Sequence, residues 1–339
     1  MDHTAYPLRF APLIKRTIWG GEKLGTLLHK PIGDNQDNAE SWEIVDHGAD
    51  QSIVQNGPLQ GLSLGELMRD HRHWLLGMHA SVPPTPKQAT TPASMPGFPL
   101  LLKYLDCNRV LSVQVHPDDA YGSKMDPPDL GKTEAWYVVD AEPGSLIYAG
   151  LKQGVTREQL ALAVEQGRTD EVLHQFEPQP GDCVFIPAGT VHALGAGLVI
   201  AEIQQSSDTT FRLFDWNRVG ADGKPRPLHI EASLDVTDYA SGPISARRSD
   251  NRTVGWTELV RCEKFELASL SNSKATLAGD DRFHIVTVPD GTALLKTPNE
   301  TMELIRGDSL LLPAQLAECS LEVDGDSTVL AACLPDPTA

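Results

Sequence analysis

Basic residues are scarce in this chain: 28 Lys and Arg stand against 46 Asp and Glu, for a net charge of −18 over 339 residues. Nucleic-acid backbones and anionic membrane surfaces are bound through basic patches, so this balance excludes both as general partners. Any anionic small molecule must find its few cations gathered in one place. Apolar runs are also short. None approaches the roughly 20 residues of a membrane span, and the opening Met1-Asp-His-Thr-Ala-Tyr-Pro7 lacks the basic and apolar regions of a secretion signal. The five cysteines (Cys107, Cys183, Cys262, Cys319, Cys333) are far apart and form no C-x-x-C pair. An odd, scattered set excludes a disulfide framework and predicts reduced thiols in a soluble cytoplasmic protein. Aromatic residues are only 6% while hydrophobic residues reach 40%, so a substantial core must be built mostly from aliphatic side chains.

A phosphate loop is missing too, although Gly131-Lys132-Thr133 invites one. A G-x-x-x-x-G-K-[ST] loop needs Gly at position 126, which is Asp, and strand-like Ala-Trp-Tyr-Val-Val follows where a helix should begin. What is present is a different pattern. Gln114-Val-His116 ends an apolar stretch starting at Phe98, and strand alternation points Gln114 and His116 to the same side. A His on a strand is more often packed than metal-bound, so the pair alone proves little. Downstream, Gly181-Asp-Cys-Val-Phe-Ile-Pro187-Ala-Gly189-Thr-Val-His192 reads as turn, buried strand, turn and ligand. Its spacing resembles the second cupin motif, with Ala196 where that motif usually carries Asn. Glu134 lies between the halves. Gln, His, Glu and His together make a divalent-metal set with room left for water or substrate.

The rest of the chain organises around that set. Ser63-Leu-Gly-Glu66 is a capping-box start for a helical insertion over about 63–79, and residues 80–97, rich in Pro, Thr, Ser and Ala, predict a long loop. A second helical insertion is expected over about 156–176, opened at Thr156 and again at Arg168. Lys103, inside Leu-Leu-Lys-Tyr-Leu, is either an amine snorkelling to the surface or a cation aimed into the metal's cavity. Glu202 follows strand alternation with Gln204, and Arg212 or a metal is its natural partner. Near the C-terminus Gly307-Asp-Ser-Leu-Leu-Leu-Pro313-Ala echoes Gly181 to Ala188 at an offset of 126 residues, with Glu318 in place of His192. Two related β units are therefore expected, residues 1–236 holding metal and 253–339 without the ligand set. The join is placed near Thr237 to Arg252.

Together, Ser112-Val-Gln114-Val-His116-Pro-Asp118, Gly131-Lys132-Thr-Glu134-Ala-Trp, Gly189-Thr-Val-His192-Ala and Glu202-Ile-Gln-Gln-Ser-Ser-Asp208-Thr-Thr-Phe-Arg212 resemble the type I phosphomannose isomerases. Ile18-Trp19-Gly-Gly and Ser41-Trp42-Glu43 also fit, so the resemblance spans roughly residues 6 to 235. It implies a mainly β fold of two cupin-type jelly-roll barrels with a few helical insertions. It implies one zinc per chain on Gln114, His116, Glu134 and His192, and interconversion of mannose 6-phosphate and fructose 6-phosphate through a cis-enediol. By the same resemblance Arg212, Lys132, Glu202 and Asp208 carry the catalysis, while Lys103, Ser112, Lys132 and Arg212 hold the sugar phosphate. Longer relatives carry a His where this chain has Gly131, and a large helical insertion between the last two ligands that is absent here; the short bacterial form is the better likeness. Two other readings compete: a cupin oxygenase, which prefers two His and one carboxylate on iron, and a sugar-phosphate binding or regulatory protein without turnover. Monomer and homodimer are equally compatible with the sequence.

Overall fold

The computed structural model describes residues 4–81, 97–219, 223–248 and 254–337. Antiparallel strands dominate. A seven-stranded sheet runs Arg247–Arg248, Asp182–Ile186, Glu134–Ala141, Leu198–Gln205, Leu100–Cys107, Asn38–Ile44, Leu13–Gly21. A five-stranded sheet runs Leu173–Phe176, Ile147–Leu151, His192–Leu194, Val113–Val115, Phe211–Phe214. The two sheets share an aliphatic core that includes Leu105, Val138, Ile186 and Ile200 from the first and Ile147, Ala149 and Leu194 from the second.

Every residue of Leu100–Cys107 is buried, and the pleat explains why a sequence run so apolar contains a lysine. Leu102 and Tyr104 face away from the five-stranded sheet, into a second core with Ile285, Leu311, Leu330 and Ala332. Lys103 and Leu105 alternate to the opposite face. A sheet covered on both sides reads as continuous hydrophobic strands rather than as an alternating pattern. Each leucine buried in this way contributes about 1.5–3 kcal/mol, and a polar link is added where Tyr104 Oη meets Thr287 Oγ1 at 2.6 Å.

The covering sheet has eight strands, seven drawn from Thr257 to Cys333 and one from the start of the chain, since Leu8–Arg9 pairs with Leu310–Leu311. Its long strand Cys319–Cys333 pairs with Ala293–Lys296 through its first half and with Ile285–Asp290 through its second. The sheet thereby folds over a separate core of Leu270, Val286, Leu295, Leu310, Leu312, Leu321 and Val329.

Helices are few and short. Ser63 and Thr156 each close a capping box, with Glu66 and Gln159, and the helices Leu64–Asp70, Arg72–Leu76 and Arg157–Glu165 follow. The second insertion needs a correction. Its later part is a single 3-10 turn, Thr169–Val172, followed by the strand Leu173–Phe176 rather than by more helix. The strand Ile147–Leu151 offers an open edge there, and pairing with it buries Leu173 completely. Most of the expected loop at 80–97 falls on residues 82–96, outside the described ones. Among the described residues no helix is long and apolar enough to cross a membrane, and all five cysteines are free.

Candidate metal centre and substrate cavity

The four candidate metal donors come from three strands of the two facing sheets. His192 opens its strand directly opposite Gln114 and Ala149. Glu134 opens another, paired with Ile186 and Gln204. His116 follows the strand Val113–Val115. His116, Glu134 and His192 place one donor atom each within 4.8 Å of one another. Glu134 Oε2 is 3.6 Å from His116 Nε2, and Oε1 is 3.5 Å from His192 Nε2. Gln114 completes the group, with its amide 3.2 Å from His192 Nε2.

Three observations show that this cluster fits a cation. The Nδ1–H of His116 donates to Thr209 O and that of His192 to Thr190 O, both at 2.9 Å. Each bond fixes the ring and turns the Nε2 lone pair inward, the arrangement found behind metal-bound imidazoles. Burial, first of all, lowers the pKa of both rings, His192 to about 4 and His116 well below the usual range, with Lys132 adding to the effect; the imidazoles are neutral and available as ligands. Finally, both oxygens of Glu134 are buried without a hydrogen bond. Lys132 Nζ lies 2.8 Å from Oε2 as an ion pair, but off the hydrogen-bonding direction. The carboxylate's lone pairs are therefore only partly compensated, which leaves them free for a further cation.

Above the cluster lies a cavity of about 310 Å³ lined by Lys103, Ser112, Gln114, Lys132, His192, Glu202, Asp208 and Arg212, among others. The structure thus brings together every residue singled out in the sequence, with His116 and Glu134 beneath the floor. Lys103 does not snorkel. It is 7% exposed and stands 3.2 Å from both Glu40 and Glu202. Burial alone would strip its proton, but the fields of Glu202, Glu40, Glu134 and Asp208 more than reverse that and hold it charged. Glu202 also accepts from Trp136 Nε1 at 3.1 Å and lies 3.6 Å from Lys132. Asp208 is exposed at the rim.

Arginines crowd the other end. Arg212 donates to Pro227 O at 3.0 Å and leaves its buried Nε without a partner. Arg218 and Arg226 share the single carboxylate of Asp215. Arg226 lines the cavity, as do Thr17, Trp19 and Glu40. These four were not singled out in the sequence as site residues. Arg226 sits in Pro-Arg-Pro with no pattern around it, and Glu40 carries only the weak signal of a charge on a strand.

Residues 8–146 match the catalytic domain of phosphomannose isomerase type I, and residues 257–332 the cupin domain of mannose-6-phosphate isomerase. A mannose-6-phosphate isomerase of Bacillus subtilis is 36% identical across 94% of this chain and 96% of its own. One from Streptococcus mutans is 34% identical across 96% and 98%. The solved structure of mannose 6-phosphate isomerase from Bacillus subtilis superposes with a TM-score of 0.81 at 29% identity, covering 96% of this chain and 99% of that one. Matched by the catalytic and cupin domains of the family one after the other, and by relatives over nearly its whole length, this chain belongs to the type I phosphomannose isomerase family.

Proposed function

We propose that the protein is a zinc-dependent aldose–ketose isomerase that interconverts mannose 6-phosphate and fructose 6-phosphate through a cis-enediol. The observation that carries this reading is the meeting, at one cavity, of a buried carboxylate that needs a cation with a separate end that needs an anion. Two neutral imidazoles, an amide and a carboxylate favour redox-silent zinc, and Gln114, His116, Glu134 and His192 would hold it. When bound, the ion supplies Lewis-acid stabilisation to the sugar oxygens next to the reacting carbons.

The protein's own charges orient the substrate. Lys103 and Lys132 are already engaged by Glu40, Glu202 and Glu134, so neither ammonium is free to serve as the phosphate's main partner. At the outer end Arg218 and Arg226 share the carboxylate of Asp215, and Arg212, which lines the cavity, has no carboxylate partner. The phosphate therefore belongs at Arg212, with the reacting carbons directed inward. Isomerisation moves a proton from C2 to C1. Glu202 is placed for that transfer: it reaches the cavity beside the donors without being one of them, and its Oε1 has no hydrogen bond. Lys132 stands where negative charge builds on the oxygens, and Asp208 and Ser112 complete the wall. Five free thiols suit a reducing compartment, and a cytoplasmic location belongs to the proposal.

Metal analysis followed by a coupled assay with mannose 6-phosphate tests the reading. About one zinc per chain, turnover abolished by chelation and restored by zinc, is the expected result. Bound iron with oxygen uptake, or tight sugar-phosphate binding without turnover, would sink it.

A further inference from the structure

Lys132 is only as well placed as the short loop that carries it. Its side chain has four rotatable bonds, yet Nζ lies beside Glu134 and His116, 2.8 Å from Oε2 of one and 3.1 Å from Nε2 of the other. The backbone on either side is fastened by a small polar network. The Gly131 N–H donates to Asp119 Oδ1 at 2.8 Å, and the Thr133 N–H donates to Gln205 Oε1 at 3.1 Å. Gln205 in turn donates through Nε2 to that same Asp119 oxygen, at 3.0 Å. The N–H groups of the residues on both sides of Lys132 thus lead to one carboxylate, that of Gly131 directly and that of Thr133 through Gln205, while the Lys132 N–H donates to Pro117 O at 3.0 Å. The fit leaves no slack. A Cβ added at Gly131 would lie 2.5 Å from Asp119 N.

The remaining oxygen of that carboxylate is held from the other half of the molecule. Lys264, in the turn between the strands Thr257–Arg261 and Glu266–Leu277 of the C-terminal sheet, donates to Asp119 Oδ2 at 2.8 Å. We propose that Lys264 of the second β unit is a positioning residue for the reaction in the first, acting through Asp119 and Gln205 on the loop that aims Lys132. The proposal rests on the isomerase reading and on the role given there to Lys132. The pair is about one-third exposed on both sides, and an ion pair of that kind adds little to stability. A displacement of about 1 Å at a catalytic group, by contrast, is enough to cost roughly 10²-fold in rate. Turnover and stability are therefore separable at this position.

The test uses the full-length, metal-loaded enzyme carrying Lys264→Met, with Asp119→Asn and the double variant. In Lys264→Met, kcat is expected to fall roughly tenfold with KM for mannose 6-phosphate within about twofold, and with metal content and Tm at wild-type values. Lys264→Arg should recover most of the loss. In the Asp119→Asn background, Lys264→Met should add nothing, because the link is already broken. Amide hydrogen exchange over residues 130–134, measured without substrate, should be faster in Lys264→Met. Unchanged exchange, unchanged kcat, additive losses, or a fall in kcat that tracks Tm or metal content would each overturn the proposal. A wild-type enzyme without turnover would instead overturn the isomerase reading, which the exchange measurement does not require.

Discussion

The two β units carry the same turn and strand at corresponding places, and only one makes a site of them. Gly181 and Gly307 both sit at positive φ, 91° and 90°, and each leads into a strand ending at a Pro-Ala turn. Ile186 pairs with Glu134, and its counterpart Leu312 pairs with His284. The cross-strand pair Glu202–Lys103 in the first unit has Ala331–Ala268 as its analogue in the second. Both units have a hollow at this end, and the second is the larger, about 500 Å³ against 310 Å³. Volume does not distinguish them. What does is how the charges are satisfied. In the second unit His284 Nε2 meets Asp280 at 3.0 Å, and Arg282 bridges Asp280 and Glu266 at 2.9 and 3.3 Å. Burial alone would raise the pKa of Asp280, yet His284 and Arg282 hold it well below the carboxylate range. The protein itself supplies the countercharge there. In the first unit Glu134 ends without a hydrogen bond and Arg212 with an unused Nε, and on the isomerase reading these are the groups that a metal and a phosphate would complete.

The comparison breaks most severely at the metal. His192→Ala removes one of four donors and leaves Glu134 with Lys132 as its countercharge. Metal affinity should drop by more than the roughly 10–100-fold that loss of an outer partner brings, and activity should vanish with it. Metal content by mass spectrometry beside a coupled assay checks both. A variant that kept its metal would show that the cation is held elsewhere.

Arg212→Ala is expected to act at the other group alone. The loss of a charge-assisted bond to the phosphate should remove about 3 kcal/mol, or roughly 10²-fold in kcat/KM, while metal content stays at wild type. Near-normal turnover in this variant would mean that the arginine end does not hold the phosphate, and that the inner lysines must.

Much of this contrast was legible before the structure, for a physical reason. Metal donors need particular elements, and turns need glycine and proline at fixed spacing, so Gln114, His116, Glu134 and His192 stand out against their strands. The internal echo at Gly307 was visible through the same turn chemistry. Pairing between distant segments was not. Nothing in Leu8-Arg9 announces that it will close the edge of the C-terminal sheet, and Leu173–Phe176 read as helix because its partner strand lies over twenty residues earlier. Lys103 was left open between surface and cavity, since only the covering of both sheet faces decides the matter. Glu40, Arg226 and Lys264 were missed because ion pairs across the fold leave no local pattern.

The second unit offers the mildest test. If its hollow is a self-satisfied structure, Arg282→Leu should leave metal content and kcat unchanged, while Asp280 and Glu266 lose their shared countercharge. The arginine side chain is 21% exposed and Asp280 is 36%, so water relieves part of the loss, and a destabilisation on the order of 1–2 kcal/mol is expected rather than the larger figure for a fully buried pair. In a domain pair of this size that is a fall of a few degrees in Tm. The shift should be smaller at low pH, where the stranded carboxylates are protonated and no longer need a partner. A variant as stable as wild type at neutral pH would mean that Arg282 is not the countercharge, and a loss of turnover without a loss of stability would mean that this hollow, too, takes part in the reaction.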